Sequence, residues 1–249
     1  MEIAFSEDVE DLPQRDLAFM CAALNKQMRE HFAPRWLEEP WPVKAYKNVK
    51  ELPVGSFWPI SIMPKIDIPG AAGYHTWVAG LAYGRVRWDG PWATPVTASH
   101  EALELRIDPR CNRWVHIGGG RFVAIEVCDP CEADTYEISV TLFGETRKVP
   151  VSDFVLPAYF VKDAPGPYTY LDTIDSTVHE RGLSRNGGGY LIVREPNGVV
   201  IDYWGRGSLG FRKRPSDDWK KGTDSVSRIS KRRAGALGEI VDFAGKISR

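Results

Sequence analysis

A chain of 249 residues, 43% hydrophobic and with nine Trp, nine Tyr and ten Phe, holds enough apolar material for one sizeable core. It has four cysteines, too few to staple a chain this long, no apolar run near the roughly 18 residues that span a bilayer, and an acidic start (MEIAFSEDVEDLPQRD) unlike a signal peptide; together these predict a soluble, cytoplasmic protein without membrane contact. The net charge of −1 conceals an asymmetry, because residues 205–249 carry twelve Lys and Arg against five Asp and Glu.

The first predicted element is a helix over residues 16–31, where Leu17, Met20, Leu24 and Met28 recur at helical spacing and Pro34 is expected to end the pattern. Short strand-like runs follow at 43–46 (VKAY), 57–63 (FWPISIM) and 84–90 (GRVRWDG), each bounded by Pro or Gly. The stretch 95–107, PVTASHEALELRI, is the second helical candidate. Beyond it, RFVAIEV at 121–127 alternates as a strand does, and residues 136–160 suggest a hairpin and an extended segment. GYLIVREPNGVVIDYW, at 189–204, reads as two strands about a Pro-Asn-Gly turn. SVSRISKRRAGALGEIVDFAGKI, near the end, has the pattern of a basic amphipathic helix weakened by Gly235, Gly238 and Gly245. This order, without internal repeats, predicts an α+β fold: a mixed sheet packed on the two helices and followed by β hairpins. Residues 1–204 form the expected domain. Residues 205–249 form a basic extension of the kind that contacts nucleic acid or an acidic protein surface, the plain alternative being a solvated tail.

Chemistry concentrates in TASHEALELRIDP. On a helical wheel Val96, Leu103 and Ile107 fall within about 40° of one another and define a buried stripe, with His100 among them and Glu104 at its edge. A histidine and a carboxylate one turn apart on a buried face need a partner, since an unpaired buried carboxylate is costly. A divalent metal ion would supply one. The pattern here is H-E-x-x-E, one residue away from the zinc-protease H-E-x-x-H, in which both histidines bind the ion and the glutamate activates water. A carboxylate binds zinc at a similar distance. His100 and Glu104 are therefore candidate ligands and Glu101 the candidate general base. The extra negative charge lowers the ion's Lewis acidity, and oxygen-rich ligation admits Mn or Ca as well as Zn.

A third ligand is required. Asp108 lies about 12 Å from His100 along a straight helix, but Pro109 disfavours helical geometry there and lets the chain turn back. RFVAIEVCDPCEAD offers Glu126, Asp129 and Glu132 as rivals, and Glu126, in an otherwise apolar strand, itself needs a partner. The ordinary reading of the same stretch makes Ser99 a helix cap, Glu101 and Glu104 first-turn acids, and His100 a hydrogen-bonded core histidine.

Longer motifs bear on this choice. S-H-E-x-L-E-x-x-x-D-P (99–109), G-R-F-x-A-x-E-V-C-D-P (120–130) and V-S-D-F-V-x-P-A-Y-F (151–160) together resemble a family of zincin-like proteins of phages and bacteria. GYHTWVAGLAYGRV at 73–86 resembles the stretch before that family's active helix, and Gly188–Tyr190 and the basic C-terminus resemble its downstream features. The resemblance implies a metalloprotease-like fold with His100, Glu101 and Glu104 as the helix-borne site, acting on a protein or peptide. The alternative, favoured by that family's phage association and by the weakened ligand set, is a virion or assembly protein that uses the scaffold structurally and meets other virion proteins through its tail. The location would then be the host cell or the virion.

His75, before a predicted strand, is placed to donate to a substrate carbonyl or an oxyanion if that strand borders the cleft, its ordinary role being a structural hydrogen bond. Cys111, His116, Cys128 and Cys131 have spacing compatible with a structural zinc site, against the ordinary outcome of reduced, half-buried cysteines. The glycine triplets 118–120 and 187–189 lack the Lys-Ser/Thr of a phosphate loop and read as turns.

Overall fold

The computed structural model of the chain describes residues 2–7, 12–47, 51, 57–68, 70–78, 80–204 and, as backbone, 212–213. Strands β1 (Glu2–Glu7), β2 (Val43–Tyr46), β3 (Phe57–Met63), β4 (Gly73–Val78) and β5 (Leu81–Arg87) form a mixed sheet in the order β2-β1-β3-β5-β4. Neighbours are parallel except β4, an edge strand antiparallel to β5. The inner strands carry near-continuous apolar runs (Ile3–Phe5, then Phe57, Ile60 and Ile62) because both sheet faces are covered. β1 escapes the sequence pattern, since its apolar run is only three residues long between acids. β4 escapes it as well, so His75 lies within a strand rather than before one.

Helix α1 (Gln14–Lys26) buries Leu17, Met20 and Leu24 as the spacing predicts. Pro34 does not end it. A π-helical stretch, Gln27–Phe32, lets the Ala33 N–H reach back to the Met28 carbonyl, and α2 (Ala33–Trp36) restarts with Pro34 in its first turn, where a missing N–H costs little. Leu37, at φ 52°, stops the chain instead. Helix α3 (Gly90–Ile107) begins before the expected Pro95, because Pro91 provides the starting turn and Thr94 Oγ1 accepts the Asp89 N–H at 2.8 Å.

After α3 come two antiparallel systems. β6 (Trp114–Gly118), β7 (Arg121–Ala124), β10 (Tyr190–Arg194), β11 (Val200–Trp204) and β12 (Arg212–Lys213) form a sheet in the order β12-β11-β10-β7-β6, and β8 (Thr135–Leu142) pairs with β9 (Glu145–Ser152) as the expected hairpin. The fold is mixed α+β. One core joins Ile60, Ile62 and Val86 of the first sheet to Leu103 and Ile107 of α3 and Val151 and Phe154 beyond. Residues 205–211 and 214–249, with the expected basic helix, lie outside the described residues. No helix among the described residues is long and apolar enough to cross a membrane.

Candidate metal centre

Helix α3 is sandwiched between β4 and β5 on one side and β9 on another. Its residues 101–105 are all buried, so the single stripe of the helical wheel understates its burial. Ser99 is no cap: it lies mid-helix, donates to the Val96 carbonyl and accepts the Ser152 N–H, both at 2.8 Å, which ties α3 to β9. Glu101 and Glu104 are not first-turn acids either. They face a small cleft of about 180 Å³ lined also by His75, His100, Cys111, Glu126, Asp129 and Tyr190.

Each of these side chains is placed by a specific local feature. Gly73 lets β4 lie close on α3, for a Cβ there would stand 2.5 Å from Thr97 Cγ2 and 2.9 Å from Glu101 Oε1. Two residues along the same strand face, His75 Nδ1 comes 3.2 Å from Glu101 Oε2 and 3.6 Å from Glu104 Oε2. Glu104 Oε1 accepts the backbone N–H groups of Cys128 (3.2 Å) and Asp129 (3.4 Å), fixing Oε2 towards the histidines. His100 Nε2 then lies 3.3 Å from Glu104 Oε2 and 3.2 Å from Asp129 Oδ1. Asp129 opens the 3-10 turn Asp129–Cys131, against which β10 starts so tightly that a Cβ on Gly189 would stand 2.0 Å from the Pro130 carbonyl oxygen. That approach brings Tyr190 into the same cleft as Asp129.

Two donor sets result, His75–Glu101–Glu104 and His100–Glu104–Asp129, with the ligand atoms of each set within 4.8 Å of one another. They are groups positioned to hold a metal ion. The donors suit a divalent cation, and among the described residues no Lys or Arg lines the cleft to neutralise its four carboxylates.

The electrostatics agree. Burial disfavours the charged ring of His100, but Glu104, Asp129 and Glu101 outweigh it and lift its pKa well above the ordinary value. Burial likewise opposes charge on His75 and is outweighed by Cys111, Glu101 and Glu104. For Glu104, burial pushes the pKa up, but His100, His75 and the Cys128 N–H bring it down to about 2. Asp129 is pushed up to about 7, by burial first and by the Glu104 charge second.

The other predicted residues separate. Glu126, just past β7, faces His75 Nε2 at 3.9 Å and belongs to neither donor set. Asp108 does turn out of the helix at Pro109, but its carboxylate accepts the N–H groups of Asn112 (3.1 Å) and Arg113 (2.8 Å) and is spent on that loop. Cys128 and Cys131 are buried in the core, while Cys111 lines the cleft and donates to the His75 carbonyl at 3.8 Å. Exposed His116 lies against Phe122 with the rings tilted by 49°, and the cysteine-rich zinc arrangement is not assembled among the described residues. The sequence marks Cys111 only for a cysteine-rich zinc site and Tyr190 only within the Gly-Gly-Tyr stretch; their places in this cleft come through tertiary contacts without a local pattern. Comparison with known proteins adds no relative: no family model, curated protein or solved structure matches the chain.

Proposed function

We propose that this chain is a zincin-like metal-dependent hydrolase that cleaves peptide bonds. The carrying observation is the convergence of His100 Nε2, Glu104 Oε2 and Asp129 Oδ1 around one ion's worth of space, with Glu101 one helical step away in the same cleft. Asp129 takes the third-ligand role for which Asp108 and Glu126 compete in the sequence. A divalent ion there, Zn being the best match to the donors and Mn or Ca admissible, would polarise the scissile carbonyl and acidify a nearby water. Glu101 takes the proton from the attacking water and passes it to the amine nitrogen as the C–N bond breaks. His75 orients Glu101 through Nδ1; its Nε2 faces Glu126, which favours positioning over direct contact with a substrate carbonyl. Among the described residues β4 pairs only with β5, and an extended peptide can add to such an edge through backbone hydrogen bonds.

Metal analysis after dialysis against Zn²⁺ tests this reading. Bound zinc is expected in the native protein and lost from the His100 set in His100→Ala. Glu101→Gln should keep the ion at that set and lower peptide cleavage by about 10²- to 10⁴-fold. A native protein that binds no ion, or a Glu101→Gln variant that cleaves as well as the native one, would refute it.

One observation favours a second reading, a scaffold that uses the ion structurally within a virion or assembly. The donors come from three separate segments, β4, α3 and the turn at Asp129, and are almost wholly buried, so an ion would staple them together. Chelation that unfolds a protein inactive on peptides would select this reading.

A further inference from the structure

We propose that the cleft contains a second cation site, formed by His75, Glu101 and Glu104, and that filling it silences the hydrolase. The inference rests on the reading above, in which His100, Glu104 and Asp129 hold the first ion. Glu104 belongs to both donor sets. Its Oε1 is occupied by two backbone N–H groups, whereas Oε2 lies between His75 Nδ1 (3.6 Å) and His100 Nε2 (3.3 Å). One oxygen therefore bridges the two sets, as in paired sites whose ions lie about 3.5–4 Å apart.

Charge supports a second ion. Glu101, Glu104, Glu126 and Asp129 face the cleft with two imidazoles and, among the described residues, no Lys or Arg. With neutral imidazoles, one divalent ion leaves about two negative charges uncompensated in a buried space, which is costly.

His75 supplies an independent pointer. It is 8% exposed, its Nδ1 enters the donor set, and its Nε2 makes no hydrogen bond among the described residues and is aimed at Glu126 Oε2, 3.9 Å away. Metal-bound histidines almost always give their other ring N–H to a carboxylate or carbonyl. Glu126 is thus the outer partner of a ligating His75.

The consequence for chemistry is direct. A cation on Glu101 Oε2 would lower the basicity of the whole carboxylate and make it a poor acceptor of the proton from water. Entry of the second ion is opposed by the first, so its site is the weaker one. Catalysis then runs with one ion and stops with two.

The test uses the full-length chain, stripped with a chelator and titrated with Zn²⁺ by equilibrium dialysis, with peptide cleavage followed at each loading. The expected result is two ions per chain, the second bound at least about tenfold more weakly, with cleavage highest near one ion and falling as the second binds. His75→Ala should lose the weaker ion only. Glu126→Gln keeps every ligand and should weaken that ion about 10- to 100-fold; it decides the matter if His75→Ala does not fold. A single ion in the native chain, or weaker-site binding unchanged in Glu126→Gln, overturns the second site and leaves the first standing. Cleavage highest at two ions overturns the silencing. Binding of no ion removes both readings.

Discussion

Two buried acid centres in this molecule are built on opposite principles. Asp153, fully buried, accepts the N–H groups of Phe154 (2.8 Å) and Leu171 (3.2 Å) and the Thr173 hydroxyl (3.4 Å). Burial pushes its pKa up to about 6, against the pull of those hydrogen bonds. Asp108 is held in the same manner by backbone N–H groups. The cleft acids face imidazoles, and Glu104 is anchored in addition by backbone N–H groups. The first kind of centre spends its carboxylate on fastening a loop. The second concentrates donors that only a proton or a cation can satisfy. Burial of a carboxylate thus says little about its role; the identity of its partners says more.

Exchanging one acid from each centre separates the two principles most sharply. Asp129→Asn should weaken Zn²⁺ binding at least about 100-fold, more than loss of an outer partner would, with little change in the stability of the metal-free protein. Asp153→Ala should do the reverse, leaving zinc binding intact while lowering unfolding free energy by about 3 kcal/mol through the orphaned N–H groups. Binding isotherms and urea denaturation of both variants check this, and equal behaviour would erase the distinction.

The pH dependence of stability offers a second contrast. His75 and His100 have folded pKa values above the unfolded ones, so the metal-free fold keeps their contribution at low pH and loses it as pH climbs through the raised values. Asp129, raised to about 7, acts in the same direction, since the unfolded chain releases that proton earlier. Glu104, lowered to about 2, acts oppositely at the acid end, where stability falls as pH drops below its ordinary value of 4.5. Metal binding needs neutral imidazoles and an ionised Asp129. Melting temperature of the chelator-treated protein should therefore decline from about pH 4 upward, first through Asp129 and above about pH 6.5 through the histidines, while the gain on adding Zn²⁺ grows over that range. A zinc-induced gain that shrinks with rising pH would count against the cleft as a cation site.

Smaller effects refine the picture. Gly73→Ala should cost about 1–3 kcal/mol by overpacking Thr97 and Glu101, and should disturb His75 more than His100. Asp108→Ala should cost about 1 kcal/mol, as loss of a cap does, and leave zinc affinity unchanged.

The chain's own pattern determines much of this. The helix near residue 100, the hairpin strands Thr135–Leu142 and Glu145–Ser152, the Pro-Asn-Gly hairpin and the chemical types at His100, Glu101 and Glu104 are local matters of periodicity, turn residues and spacing. Where the local pattern was short it failed: β1 carries too few apolar residues to be seen, and a proline after a π turn is silent where a proline in an α-helix would break it. Only the tertiary structure decided which carboxylates meet which histidines. A strand edge held close by Gly73 and a turn held by Glu104 place His75 and Asp129 at the helix, whereas Asp108, nearer in sequence, closes its own loop. The reason is physical: side-chain type and helical phase are set residue by residue, but a cation's donors must converge from separate segments. That convergence is fixed by packing, which no spacing along the chain records.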